Sequence, residues 1–95
     1  MLVASAIKFY QVGDEYPIIM CAKRHCDIFK KMYNLGIEYD KNTHIQGFWT
    51  SDNKFVNRKE AITIAWKAGQ IDDNKLKNGE LFSEDVWPPE GNDII

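Results

Sequence analysis

Residues 47–70, GFWTSDNKFVNRKEAITIAWKAGQ, decide the fold. Phe48-Trp49-Thr50 and Lys54-Phe55-Val56 are short aromatic and β-branched runs separated by Ser51-Asp52-Asn53, which reads as a tight hairpin. The second run leads straight into a helix. Asn57 stands where an N-cap belongs, Glu60 completes the capping-box spacing, and Gly69 supplies the left-handed stop. Between them, Arg58–Ala68 puts Ala61, Ile64, Ala65 and Ala68 on one side. Ile62 and Trp66 widen that stripe, a mixture of small and large residues suited to packing on a sheet. The unit fixes Phe48, Phe55, Arg58 and Gln70 on rigid elements. That set suits a ligand with flat rings and phosphates better than it suits bond-breaking chemistry.

Upstream, Ala4–Val12 alternates, with Ala4, Ala6, Lys8 and Tyr10 on one face and Ser5, Ile7, Phe9 and Gln11 on the other. Gly13-Asp14-Glu15 turns the chain, and Tyr16–Ala22 returns as an apolar strand. His25–Leu35 then carries Ile28, Phe29, Met32 and Tyr33 at helical spacing, and Gly36 ends it. A polar connector, 37–42, precedes a third strand around Thr43–Thr50. Downstream, the charged stretch Asp72–Glu80 reads as an exposed loop. Leu81–Trp87 reads as a short docked segment in which Ser83 caps a turn over Asp85 and Val86. Pro88-Pro89-Glu90-Gly91 terminates it, leaving 88–95 as a loose tail. The order ββαββα predicts one small α+β domain over residues 1–95: a mostly antiparallel sheet of two hairpins with two helices packed on it.

Ninety-five residues with 44% hydrophobic and 13% aromatic content suffice for one folded core. A domain of that size buries about two-thirds of its unfolded surface. A net charge of −2 argues against broad DNA binding, which needs clustered Lys and Arg. A small anion is compatible with it, since one placed Arg or a helix N-terminus holds a phosphate. No apolar run approaches the roughly 20 residues of a membrane span. The opening MLVASAIKFYQV lacks a basic leader region, which points to the cytoplasm of the cell that makes the protein. Cys21 and Cys26, with His25 and His44, are too loosely spaced for a usual zinc pair. Reduced thiols packed as small apolar groups are the expectation, with no metal and no cofactor.

No nucleophile elbow, Walker loop or metalloprotease helix is present, so the chain does not read as an enzyme. Glu84 and Asp85 are adjacent on a turn and point apart, which suits a solvated helix start better than an acid/base pair. Arg24-His25 falls where a strand meets a helix: either a phosphate cradle of free amides and a guanidinium, or an exposed Arg beside a capping His. Phe48, Trp49 and Phe55 are core or cross-strand aromatics unless one stacks on a base. Arg58 in a first helical turn opposes the helix dipole: either an anion at the helix start is its partner, or it is an exposed Arg at a cost of roughly a few tenths of a kcal/mol. Trp87 either docks on its own core or meets another subunit, and the surplus of Trp49, Trp66 and Trp87 is material for an oligomer interface.

Ile7-Lys8-Phe9-Tyr10, Arg24–Phe29, Gly47–Thr50, Phe55–Ala61, Ala68–Ile71 and Leu81–Trp87, taken in order, resemble a family of small phage proteins, the first type of Thoeris anti-defence protein. The resemblance runs from about Val3 to Trp87, and no single motif in it is a catalytic signature. It implies a sponge that sequesters cyclic ADP-ribose isomers made by TIR-domain enzymes without cleaving them. It also implies a homo-oligomer with pockets between subunits, and for some members a separate site for cyclic trinucleotides. The chain is shorter than the longer relatives of that family. A purine, two riboses and a pyrophosphate need a stacking ring, a charged clamp and hydroxyl partners. Phe48 or Phe55 would supply the ring, Arg24, with His25, and Arg58 the clamp, and Asn57, Gln70 or Asp85 the hydroxyl contacts. The competing readings are a phage-encoded protein-binding inhibitor of a host enzyme and a small nucleotide hydrolase.

Overall fold

The computed structural model describes residues 1–77 and 79–88. Four strands, β1 (Leu2–Phe9), β2 (Ile18–Ala22), β3 (Ile45–Thr50) and β4 (Phe55–Asn57), form one antiparallel sheet in the order β2-β1-β3-β4. Helices α1 (His25–Asn34) and α2 (Arg58–Lys67) are the main helices, and a short α3 (Ser83–Val86) follows. This is the expected α+β sheet of two hairpins. Its first strand is central because β3 pairs with β1 rather than with the strand that precedes it.

The hairpin and cap at 50–60 form as their residues dictate. Thr50 and Lys54 close the loop through the Thr50 N–H to Lys54 O bond of 2.9 Å, and Asn53 takes the left-handed φ of 63°. Asn is among the few side chains that tolerate it. The Asn57 Oδ1 accepts from the N–H groups of Lys59 and Glu60 at 2.9 and 2.8 Å, while its own N–H donates to Glu60 Oε1 at 3.1 Å. Gly69, at φ 72°, ends the helix.

Both main helices cover one face of the sheet. Ile7 and Phe9 pack with Ile28 and Met32 of α1, while Leu2, Phe48 and Val56 pack with Ala61, Ile62 and Ala65 of α2, Ile71 and Leu81. A bulge between Leu2 and Ala4 makes this possible. Alternation alone would send Leu2 to the face of Ala4 and Ala6. The extra residue reverses the parity, and Leu2 joins the core. Beyond the bulge, Gln70 reaches back across the fold. Its amide accepts from Leu2 N–H and donates to Leu2 O, both at 2.8 Å, as a neighbouring strand would.

Several expectations are corrected. The first strand begins at Leu2 and ends at Phe9, and Gln11 instead makes an isolated bridge to Tyr39. Within Asp72–Glu80 the chain is not loop throughout: Asp73–Lys77 is a 3-10 turn, tied to α2 by Trp66 Nε1 donating to Asp73 Oδ1. Ser83 does not cap a turn. It is the first, buried residue of α3, whose N-cap is Phe82. Tyr33 is exposed rather than in the stripe of α1, and both cysteines are exposed rather than packed. Partial burial pushes the Cys21 thiol up from its ordinary value. Trp87 lies on its own core, 6.1 Å from the Phe48 ring. Of the expected tail, residues 89–95 lie outside the described residues. Among the described residues no helix is long and apolar enough to cross a membrane.

Candidate functional site

A cleft of about 380 Å³ opens where β3 begins and where β4 runs into α2. His44, Ile45 and Gln46 form one wall, Asn57, Arg58 and Lys59 another, and Glu80 the third. The arrangement follows from the hairpin and its cap, which bring the first turn of α2 alongside the start of β3. Arg58 is the centre of the cleft. Its side chain is 20% exposed. Nη2 donates to Gln46 Oε1 at 2.6 Å, Nη1 lies 3.6 Å from Glu80 Oε2, and the guanidinium carbon sits 4.8 Å from the centre of the Phe82 ring. Nε is buried with no acceptor among the described residues. The partner that the helix dipole called for is therefore supplied first by the chain itself, through Glu80.

His44 stands at the rim, edge-on to the rings of Phe29 and Tyr39 at 5.9 and 5.7 Å. Its Nδ1 lies 2.8 Å from Lys41 O, a carbonyl that only accepts, so Nδ1 carries a proton and donates it. In the neutral ring the lone pair is then on Nε2. Arg58 and Lys59 are the cations of the cleft, Gln46 and His44 add hydrogen-bonding groups, and Glu80 is the one acidic group among its described lining residues.

The other expected site residues are dispersed. Arg24 is the half-buried N-cap of α1 and does not line this cleft. His25 turns inward: Nε2–H donates to Gly47 O at 2.7 Å, and the ring packs edge-on to Phe48 at 5.3 Å. Burial lowers its pKa first, against the bond to Gly47, and nearby Arg58 lowers it further, while Glu84 raises it. A phosphate cradle made jointly by Arg24 and His25 is not formed. Phe48 is fully buried, so it has no face left for a base. Phe55 projects from the opposite side of the sheet, where its ring fills the space that a side chain on Gly47 would need.

Asn57 lines the cleft, but its carboxamide oxygen is committed to the cap of α2. That cap also consumes the free amides that would draw an anion to the helix N-terminus. Gln70 and Asp85 share a different cleft of about 240 Å³. Gln70 is occupied by Leu2. The Asp85 carboxylate accepts from Lys75 Nζ and from Phe82 N–H, both at 3.0 Å, closing the first turn of α3. Of the eight expected residues, Arg58 and Asn57 reach the cleft together.

The reading of the residues missed His44, Gln46, Lys59 and Glu80. Gln46 was legible, since it lies two residues before Phe48 on a strand and shares its face. Lys59 adjoins Arg58 in the first turn. Glu80 carries no local signal, because a chain reversal after α2 brings it back. No group of three or more His, Cys, Asp or Glu among the described residues is placed to hold a metal ion.

A family model described as phage T4 y16D protein matches residues 1–87, so the chain belongs to that phage protein family. No curated protein and no solved structure matches it.

Proposed function

We propose that this phage protein captures a phosphate-bearing nucleotide in the Arg58 cleft and holds it without cleaving it. The ligand class is that implied by the resemblance described above, a cyclic ADP-ribose isomer made by a TIR-domain enzyme, and its sequestration would block Thoeris immunity. One observation supports the reading above the others: Arg58, Lys59, His44 and Gln46 converge on one cleft of about 380 Å³ at the start of a capped helix. That volume lies within the roughly 300–1,000 Å³ of ligand pockets, and a guanidinium held by Gln46 and Phe82 is preorganised for phosphate. Glu80 is the counter-charge such a phosphate would displace from Arg58. Slow release from a cleft open to solvent would need a second chain as cover, so the reading includes a homo-oligomer. The host cytoplasm, where such signals accumulate, is the expected place of action.

The test uses the purified protein and the nucleotide made by a TIR-domain enzyme. After incubation and removal of free ligand, heat denaturation releases what was bound, and mass spectrometry identifies it. Intact nucleotide supports the reading. A turned-over product, dependent on protein concentration and absent from a heat-killed control, would replace it with a hydrolase. No capture would leave the protein-binding inhibitor.

A further inference from the structure

The side chains that line the Arg58 cleft are mostly donors. Gln46 commits its carboxamide oxygen to Arg58 Nη2, and its NH2 group is what it then offers a ligand. Asn57 commits its own oxygen to the N–H groups of Lys59 and Glu60, with the same result. Arg58 and Lys59 only donate. Two acceptors stand against them among the described lining side chains, the Glu80 carboxylate and the His44 ring. Glu80 lies 3.6 Å from Arg58 Nη1, and its charge opposes any anion that approaches the guanidinium. His44 is the neutral acceptor.

The fold sets both the tautomer and the orientation of that ring. His44 ends the connector that leads from α1 into β3, and its Nδ1–H donates to Lys41 O at 2.8 Å. Phe29 and Tyr39 stand edge-on to it on the apolar side, at 5.9 and 5.7 Å. With Nδ1 turned to the connector, Nε2 points away from it, and the ring forms part of the cleft wall. A neutral imidazole held so accepts at Nε2 and cannot donate there. Its partner must bring an O–H or N–H. An ionised phosphate brings only acceptors, so it answers Arg58 and Lys59 and leaves His44 without a partner. The cleft, at about 380 Å³, has room for more than a phosphate.

We propose that His44 determines specificity in this cleft: its Nε2 accepts a hydrogen bond from a free sugar hydroxyl of a nucleotide whose phosphate lies on Arg58 and Lys59. The inference rests on the phosphate reading given above and adds to it a required hydroxyl. A ligand with the phosphate alone buries the imidazole lone pair without a donor, and a site built around a hydrogen bond rejects the analogue that lacks it. A His44 that served the fold alone would need only Nδ1, for the bond to Lys41 O. Two substitutions separate these roles. The carboxamide of Gln reaches the place of Nε2, and that of Asn the place of Nδ1.

The probes are adenosine 5′-monophosphate and its 2′,3′-dideoxy analogue, titrated into the full chain at about pH 8, where nucleotide phosphates are ionised. Amide shifts of residues 44–46 and 57–59 report binding. The parent chain should bind the hydroxyl-bearing nucleotide about three- to tenfold more tightly than the analogue, the effect of one hydrogen bond. His44→Phe, which keeps a ring against Phe29 and Tyr39, should bring that ratio close to one. His44→Gln should keep most of the preference and His44→Asn should lose it. Equal affinities in the parent chain, or a preference that His44→Phe leaves intact, would overturn the inference while the phosphate reading stands. So would a preference kept by His44→Asn and lost by His44→Gln, which would leave His44 only its bond to Lys41. Binding of neither nucleotide up to roughly 10 mM, beyond the weak end of specific affinities, would also overturn it. Where the nucleotide made by the TIR-domain enzyme is not captured either, the phosphate reading falls with it.

Discussion

Replacing Gln70 by Ala separates a structural role from a ligand-binding one. The Gln70 amide makes two hydrogen bonds of 2.8 Å, one to each backbone group of Leu2. Each is worth about 0.5–1.5 kcal/mol net, and a buried group left without a partner costs about 1–3 kcal/mol. Leu2 is buried at the start of the central strand, so water does not readily replace the amide. The expected loss is about 2–4 kcal/mol. For a domain of this size that lowers Tm by roughly 8–30 °C. Urea unfolding followed by tryptophan fluorescence measures the loss directly, with Thr63→Ala, exposed on α2, as a neutral comparison. A variant that melts with the parent chain but no longer captures nucleotide would refute the reasoning, because Gln70 would then face a ligand and not Leu2.

Arg58→Ala should weaken nucleotide capture at least tenfold in a binding titration, since a hydrogen bond to a charged group contributes about 1.5–3 kcal/mol, whereas Arg24→Ala, outside the cleft, should leave capture near the parent value. Gly47→Ala should destabilise strongly in the same urea assay, by about 3 kcal/mol or more, because its methyl would overlap Val56 O and the Phe55 ring. Stability should fall as pH drops below about 6.5, the ordinary histidine value. His25 has a depressed pKa when folded, so the unfolded chain takes up its proton first and gains the advantage. His25→Gln should flatten that slope between roughly pH 7 and 5 in pH-dependent melting curves.

The hairpin, the capping box and both helices were legible because each is specified locally, by a turn residue, a cap or a helical period. The bulge at Leu2 was not. Its signal is the need to bury Leu2 on the same face as Phe48, and that need exists only once β1 and β3 are paired. The site divides in the same way. Arg58 could be found from its discomfort in a first helical turn. Gln70 and Asp85 could not be told apart from ligand contacts: the Gln70 amide is aimed at a backbone 68 residues away and the Asp85 carboxylate at the start of its own turn and at Lys75, and in one dimension either looks the same as a group aimed at a nucleotide. His25 was misplaced because its partner, Gly47 O, comes from a strand 22 residues away.

The clasp between Leu2 and Gln70 joins positions 68 apart in the chain. Its consequence concerns synthesis. The central strand leaves the ribosome well before its partner β3, which emerges some 40 residues later, and its clasp emerges later still. At about 5–20 residues per second the first strand waits for seconds with only β2 and α1 beside it. A nascent chain arrested before Gln70 should therefore be readily cut by protease, and one long enough to place Gln70 beyond the exit tunnel should resist. In such a chain protection arrives in a single late step, set by when the last tie becomes reachable and not by how soon the first strand is made.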